Sequence, residues 1–198
     1  MKELIIYLIN SNEISLETLL ESFYLSPIEK ESFEKYKVES VKKEKIVSYY
    51  LKKKYVGSYE VDVNGKPISN HKYFNISHSH GYVVLVIDDA PIGIDVETIR
   101  PVNKSLVDVV TNKEEKEYVY DDASFYEVWT NKEALVKAYG SGIKQRPDTI
   151  PGLPVNGVRS YKDKLYFNRS IRYQDVVISV SRQSSEDYSI KIETITLL

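Results

Sequence analysis

Residues 91–101, PIGIDVETIRP, alternate strictly, with Ile92, Ile94 and Val96 on one side of an extended chain and Gly93, Asp95 and Glu97 on the other. A period of two belongs to a β-strand with one apolar face. Residues two apart on a strand lie about 6.6 Å apart on the same face. Asp95 and Glu97 therefore share one small patch, where two negative charges repel unless something positive lies between them. The segment has to be either the solvated face of an edge strand or part of a site that takes a cation.

The rest of the chain switches between the two periods. "LIIYLI", Leu4 to Ile9, is a core strand: it is far too short for a membrane span and lacks the charged start and small-residue cleavage site of a secretory signal, so a cytoplasmic protein is expected. Ser26, Pro27 and Glu29 form a helix start with a capping box, and the helical, basic region continues to Gly57 with a break near Val38. Asn64, Gly65 and Pro67 mark a turn. Tyr82 to Asp88 is rich in β-branched residues, and "DDAP" is expected to turn it back into the Asp95 strand as an antiparallel hairpin.

"NKSLVDVVTNKEEKEYVY" and "SFYEVWTNKEALVKAYGSG" read as two further helices, the second stopped by Gly140 and Gly142. From about Pro151 onward come short strands: "KLYFNRSIRY", "DVVISVSR" and "YSIKIETITLL". Helical and extended runs mixed this unevenly predict an α+β fold rather than a regular parallel sheet.

A length of 198 residues allows a sizeable core. A net charge of −2 argues against bulk nucleic-acid binding. With no cysteine there is no disulfide, thiolate zinc site or cysteine nucleophile, so the chemistry has to come from oxygen and nitrogen groups. Seventeen tyrosines suit half-buried boundary positions, and Trp129 is expected to be the packing anchor of its helix.

On the helix "YEVWTNKEALVKAY", Glu133 and Lys137 are four residues apart and share a face, while Val128, Leu135 and Ala138 form an apolar stripe. Two readings stand side by side. Glu133 and Lys137 are a solvated surface pair, or Glu133 joins Asp95 and Glu97 around a hard divalent cation, which prefers oxygen ligands.

Four motifs occur in order: Gly65-Lys66-Pro67, Asn75-Ile76-Ser77-His78-Ser79, Gly93-Ile94-Asp95-Val96-Glu97, and Trp129 with Lys132-Glu133-Ala134, Lys137, Gly140 and Gly142. In these the chain resembles the 4′-phosphopantetheinyl transferases of the Sfp type, over most of residues 26–143. The resemblance implies two pseudo-symmetric lobes, each a small antiparallel sheet packed with helices, divided as 1–88 and 89–198 with the site between them. It implies a monomer that moves the phosphopantetheine arm of coenzyme A onto a serine of an apo acyl or peptidyl carrier protein, releasing 3′,5′-ADP, with no membrane or nucleic-acid partner.

By the same resemblance Asp95, Glu97 and Glu133 hold Mg2+, Lys137 neutralises the pyrophosphate, and Ser77 and His78 touch the phosphates, with Lys66 beside them. Lys43 takes the place of the family's arginine at the ribose 3′-phosphate, with Lys30 a second candidate. Glu114, its neighbour Glu115 or a metal-bound water accepts the serine proton. His71 and His80 are expected to be surface residues, and Lys52-Lys53-Lys54 a solvated helix face. Two rivals are a metal-dependent phosphohydrolase acting on a nucleotide pyrophosphate and a binding module without catalysis.

Overall fold

The apolar run at the start of the chain forms β1 (Lys2–Asn10), and its alternation sends Leu4, Ile6 and Leu8 into one core and Ile9 into another. The computed structural model describes residues 1–61, 67–69, 72–142 and 144–196. After β1 come α1 (Leu16–Ser22), α2 (Pro27–Glu34) and α3 (Glu39–Leu51). The capping box expected at Ser26 is present, with Ser26 Oγ accepting from Glu29 N and Glu29 returning to Ser26 N. Beyond α3 the chain winds into a π-helical turn, Lys52–Val56, closed by Gly57 at φ 76°.

The short β2 (Glu60–Val61) and β3 (Pro67–Ile68) pair with each other. Then β4 (Tyr73–Ser79) and β5 (Tyr82–Asp88) form an antiparallel hairpin, followed by β6 (Ile92–Thr98). Three helices follow: α4 (Lys104–Val110), α5 (Lys113–Tyr118) and α6 (Asp122–Tyr139). The chain closes with β7 (Gly157–Tyr161), β8 (Lys164–Tyr173), β9 (Val176–Arg182) and β10 (Tyr188–Thr194).

Two four-stranded sheets result, in the orders β10-β1-β5-β4 and β6-β9-β8-β7. The α+β expectation holds, and the halves echo each other: strand, helices, then a hairpin whose last strand pairs with the first, giving 1-5-4 in one sheet and 6-9-8 in the other. The sheets share one core, in which Leu4, Ile6, Leu8, Val84 and Val86 meet Ile92, Ile94, Val96, Ile178 and Val180. On the far side of the first sheet Ile9, Val83 and Leu85 pack against Leu19, Phe33, Ile46 and Leu51 of the helices. Among the described residues no helix is long and apolar enough to cross a membrane.

Three expectations are corrected. The "DDAP" turn makes no hairpin: β5 is already flanked by β1 and β4, so the chain leaves its sheet and β6 pairs antiparallel with β9. Asp88 is tied there to Lys2 and Arg182, with Arg182 Nη2 also donating to Asp89 Oδ1 at 3.0 Å. The division at 88/89 is crossed, because β10 returns to pair parallel with β1. The run Lys52-Lys53-Lys54 is not uniformly solvated. The π-turn carries Lys52 inward, its ammonium 5.0 Å and 4.8 Å from the ring centres of Tyr49 and Tyr59, and burial pushes its pKa down to about 8.

Candidate active site

The edge strands of the two sheets, β4 and β6, run beside each other and are joined by side chains. Asn75 Oδ1 accepts from Ile94 N at 3.0 Å, and Ser79 Oγ accepts from Thr98 N at 3.4 Å. Polar side chains thus satisfy backbone donors of an edge strand that would otherwise need water. The alternation of β4 places Asn75, Ser77 and Ser79 on this inner side, which explains their spacing of two.

Helix α6 supplies the other half of the site. Asp121 caps its start by accepting from Ser124 N, and Gly140 at φ 89° ends it in the left-handed conformation that favours glycine. At Gly93 α6 and β6 lie very close: a Cβ there would lie 2.0 Å from Ala134 O and 2.5 Å from Ala138 N. This backbone-to-backbone approach sets the turn bearing Glu133 and Lys137 beside Asp95, two residues along the strand.

Lys137 Nζ lies 2.6 Å from Asp95 Oδ1, 3.0 Å from Ser77 Oγ and 3.3 Å from Ile94 O. Ser77 Oγ donates to the same Asp95 oxygen at 2.8 Å, and Ser79 Oγ donates to Glu97 Oε2 at 2.7 Å. Asp95 is buried, and its Oδ2 has no hydrogen-bond partner. Burial, together with the charges of Asp95 and Glu97 and against that of Lys137, raises the Glu133 carboxyl to about 7. Glu133 on α6 is therefore within electrostatic reach of the two acids on β6.

A hard divalent cation suits this set. All the donors are carboxylate oxygens, one of them a buried oxygen without a partner, and burial with the negative charges of Asp95 and Glu97 raises the pKa of Glu133. As they stand, the described residues present no ready-made cluster of three metal-ligating side chains. Lys137 takes one Asp95 oxygen and Ser79 one Glu97 oxygen. The hydroxyl of Ser77, a residue expected at the phosphates, lies between Asp95 and Lys137.

His78 points to the other side of β4, where its Nδ1 lies 2.9 Å from Glu44 Oε2 on α3. Lys43, next to Glu44 in the chain, is mostly covered and pairs with Glu39 at 3.4 Å, whereas Lys30 is exposed on α2. His80 sits exposed at the β4–β5 turn, as expected. Lys66 and His71 lie outside the described residues.

Glu114 and Glu115 differ sharply in their surroundings. Asn112 caps α5 and Glu115 is its capping-box partner, accepting from Asn112 N at 2.8 Å. Glu115 is buried, also taking Gly152 N at 2.6 Å and the ammonium of Lys132 at 2.6 Å, so neither oxygen is free for a proton. Glu114 is exposed in the first turn of α5. The spacing of Asn112 and Glu115 carried this signal in the sequence. Glu44 carried none, lying in a run that reads as a basic helix face. Trp129 packs, half-buried, against the cluster of Val110, Phe125, Tyr126 and Val177, the anchoring role expected of it.

A family model described as the 4′-phosphopantetheinyl transferase superfamily matches residues 91–192, which span β6, α4 to α6 and nearly all the remaining strands. The chain belongs to that superfamily. Among its relatives, the 4′-phosphopantetheinyl transferase psf-1 of Bacillus pumilus is 35% identical over 94 residues, covering 43% of this chain and 40% of the relative. The 4′-phosphopantetheinyl transferase gsp of Aneurinibacillus migulanus is 36% identical over 86 residues, 40% of this chain and 36% of the relative. Sfp of Bacillus subtilis (strain 168) is 32% identical over 84 residues, 39% of this chain and 38% of the relative. The matching stretch is thus well under half the length of each of these three proteins.

Proposed function

We propose that this protein transfers the 4′-phosphopantetheine arm of coenzyme A to a serine hydroxyl of an apo acyl or peptidyl carrier protein, releasing 3′,5′-ADP in an Mg2+-dependent reaction. The observation that carries the reading is the pairing of Lys137 on α6 with Asp95 on β6, beside a buried carboxylate oxygen without a partner, in a chain of the 4′-phosphopantetheinyl transferase superfamily. The names of the relatives support the same class of reaction.

In this reaction the serine oxygen bonds to the phosphorus bearing the pantetheine arm, and the pyrophosphate bridge breaks. Asp95, Glu97 and Glu133 would hold Mg2+, which supplies charge neutralisation at the pyrophosphate. Lys137 adds a positive charge where negative charge grows on the leaving group. Ser77 and Ser79 hold Asp95 and Glu97 in their rotamers, pre-orienting the carboxylates. Of the two neighbouring glutamates only Glu114 has a carboxylate open to the serine proton, because Glu115 is engaged by Lys132 and two backbone amides. His78 would contact the phosphates, with Lys43 and Lys66 as further positive charges.

The test incubates the protein with coenzyme A, Mg2+ and a panel of apo carrier proteins and reads intact masses. The expected result is a mass increase on a carrier protein, none on its serine-to-alanine variant, and none in the presence of a chelator. Nucleotide release without a modified carrier would favour the phosphohydrolase instead. Glu133→Ala is expected to reduce transfer by at least roughly 100-fold, since even groups that merely orient a metal ligand are worth 10–100-fold. Its unfolding midpoint should barely move, because the carboxyl it removes is held against unfavourable burial and like charges. Undiminished transfer would remove Glu133 from the site.

A further inference from the structure

Glu44 is a buried carboxylate in the middle of α3, more deeply covered than its charged neighbours Lys42, Lys43 and Lys45. Both its oxygens are used: Oε1 accepts from Gly81 N at 2.7 Å at the β4–β5 turn, and Oε2 lies 2.9 Å from His78 Nδ1. Burial works against its ionisation, but the bonds from His78 and Gly81 outweigh it and hold the carboxyl below its usual range. An ionised carboxylate accepts only, so His78 Nδ1 carries the hydrogen between them.

We infer that Glu44 is a positioning residue for His78, fixing the imidazole through Nδ1 so that Nε2 is the nitrogen left for an anionic phosphate oxygen. The inference rests on the reading of His78 as a coenzyme A phosphate contact. A histidine on a strand edge turns about its side-chain bonds, and its two nitrogens are distinct only when one is fixed by a partner. Here that partner is anchored twice over, by the helix that carries it and by the backbone amide of Gly81. The His78 side chain keeps 35% of its surface exposed, so the ring is fixed along one edge and open elsewhere. With Nδ1–H given to Glu44, Nε2 reaches an acceptor-only phosphate oxygen through a second hydrogen, as the imidazolium with both nitrogens donating.

Two measurements test this, the first without any ligand. In the free protein at a pH of about 8, above the ordinary histidine pKa, side-chain 15N–1H spectra should show His78 as the Nδ1–H tautomer. Glu44→Gln keeps an oxygen for Gly81 N and turns an amide donor toward Nδ1, so the tautomer should switch to Nε2–H. A His78 tautomer unchanged in Glu44→Gln overturns the inference.

The second measurement is calorimetric titration of coenzyme A with Mg2+ into wild type, Glu44→Gln, His78→Ala and the double variant. Glu44→Gln should weaken binding roughly tenfold, the low end of what orienting partners of histidine contribute, and the double variant should bind no more weakly than His78→Ala. Effects that add would make Glu44 a support of the fold only and overturn its role at His78. Weak binding by His78→Ala with normal binding by Glu44→Gln overturns the role of Glu44 but leaves the reading of His78 intact. Normal binding by His78→Ala removes His78 from the phosphate site, and a wild type that binds no coenzyme A removes the proposed function; the role drawn for Glu44 falls with either.

Discussion

Gly93→Ala is expected to destabilise the protein by about 3 kcal/mol or more, the upper part of the range for inserting a methyl group into a packed interior. The reason is what the methyl group meets. An ideal Cβ would stand 2.0 Å from Ala134 O and 2.5 Å from Ala138 N, both backbone atoms of a helix that cannot turn aside as a side chain would. Either β6 moves, breaking its register with β9, or α6 lifts away from the sheet. At the usual 2–4 °C per kcal/mol for a chain of this size, the melting temperature should fall by roughly 6–12 °C.

The proposed transfer activity should fall further than stability, because the same contact sets Lys137 against Asp95. The check is a denaturant midpoint for stability, alongside transfer measured at a temperature where the variant is still folded. A midpoint change below about 0.5 kcal/mol, within the range of ordinary surface substitutions, would show that the two backbones are not held together there.

Lys132→Ala is expected to cost about 3–5 kcal/mol, the range for breaking a buried ion pair from one side. The Lys132 ammonium is fully buried, donating to Val110 O at 2.8 Å, Glu115 Oε2 at 2.6 Å and Pro147 O at 2.9 Å. It ties the end of α4, the start of α5 and the loop before β7 to α6. Removing it leaves the Glu115 carboxylate buried beside a void with only backbone amides as partners. Lys132→Met combined with Glu115→Gln should recover part of the loss, because no unpaired charge is left inside and the introduced amide keeps an acceptor for Gly152 N. Urea unfolding of wild type, Lys132→Ala and the double variant checks this. A double variant as unstable as Lys132→Ala would mean that the cost comes from the lost volume and backbone bonds rather than from the stranded charge.

The neighbours Lys132 and Glu133 show how differently adjacent residues in one motif are used. Glu133 faces β6 and the acids, while Lys132, about 100° further round the helix, is driven inward to Glu115. The helix period places the two residues on different faces, but only the packing of α5 and the loop at residues 147–152 decides that the face of Lys132 is closed.

The features legible in the sequence were those fixed by short-range physics. The period of two in residues 92–98 marks a strand whatever surrounds it, and β6 is that strand. Ser26, Pro27 and Glu29 satisfy the free amides of a helix start locally, and α2 begins there. The four-residue spacing of Glu133 and Lys137 puts them on one side of a helix before anything is known of its neighbours, and α6 keeps them there.

Choices among distant partners were decided only in the tertiary structure. Backbone hydrogen bonding is nearly indifferent to which strand supplies the partner, so β6 was free to pair with β9 rather than β5, and β10 to cross back to β1. A hydroxyl or an ammonium likewise takes its role from what folding brings within 3 Å of it. That contact, not residue type, made Ser77 a brace for Asp95, Glu44 an anchor for His78 and Lys132 a buried partner of Glu115.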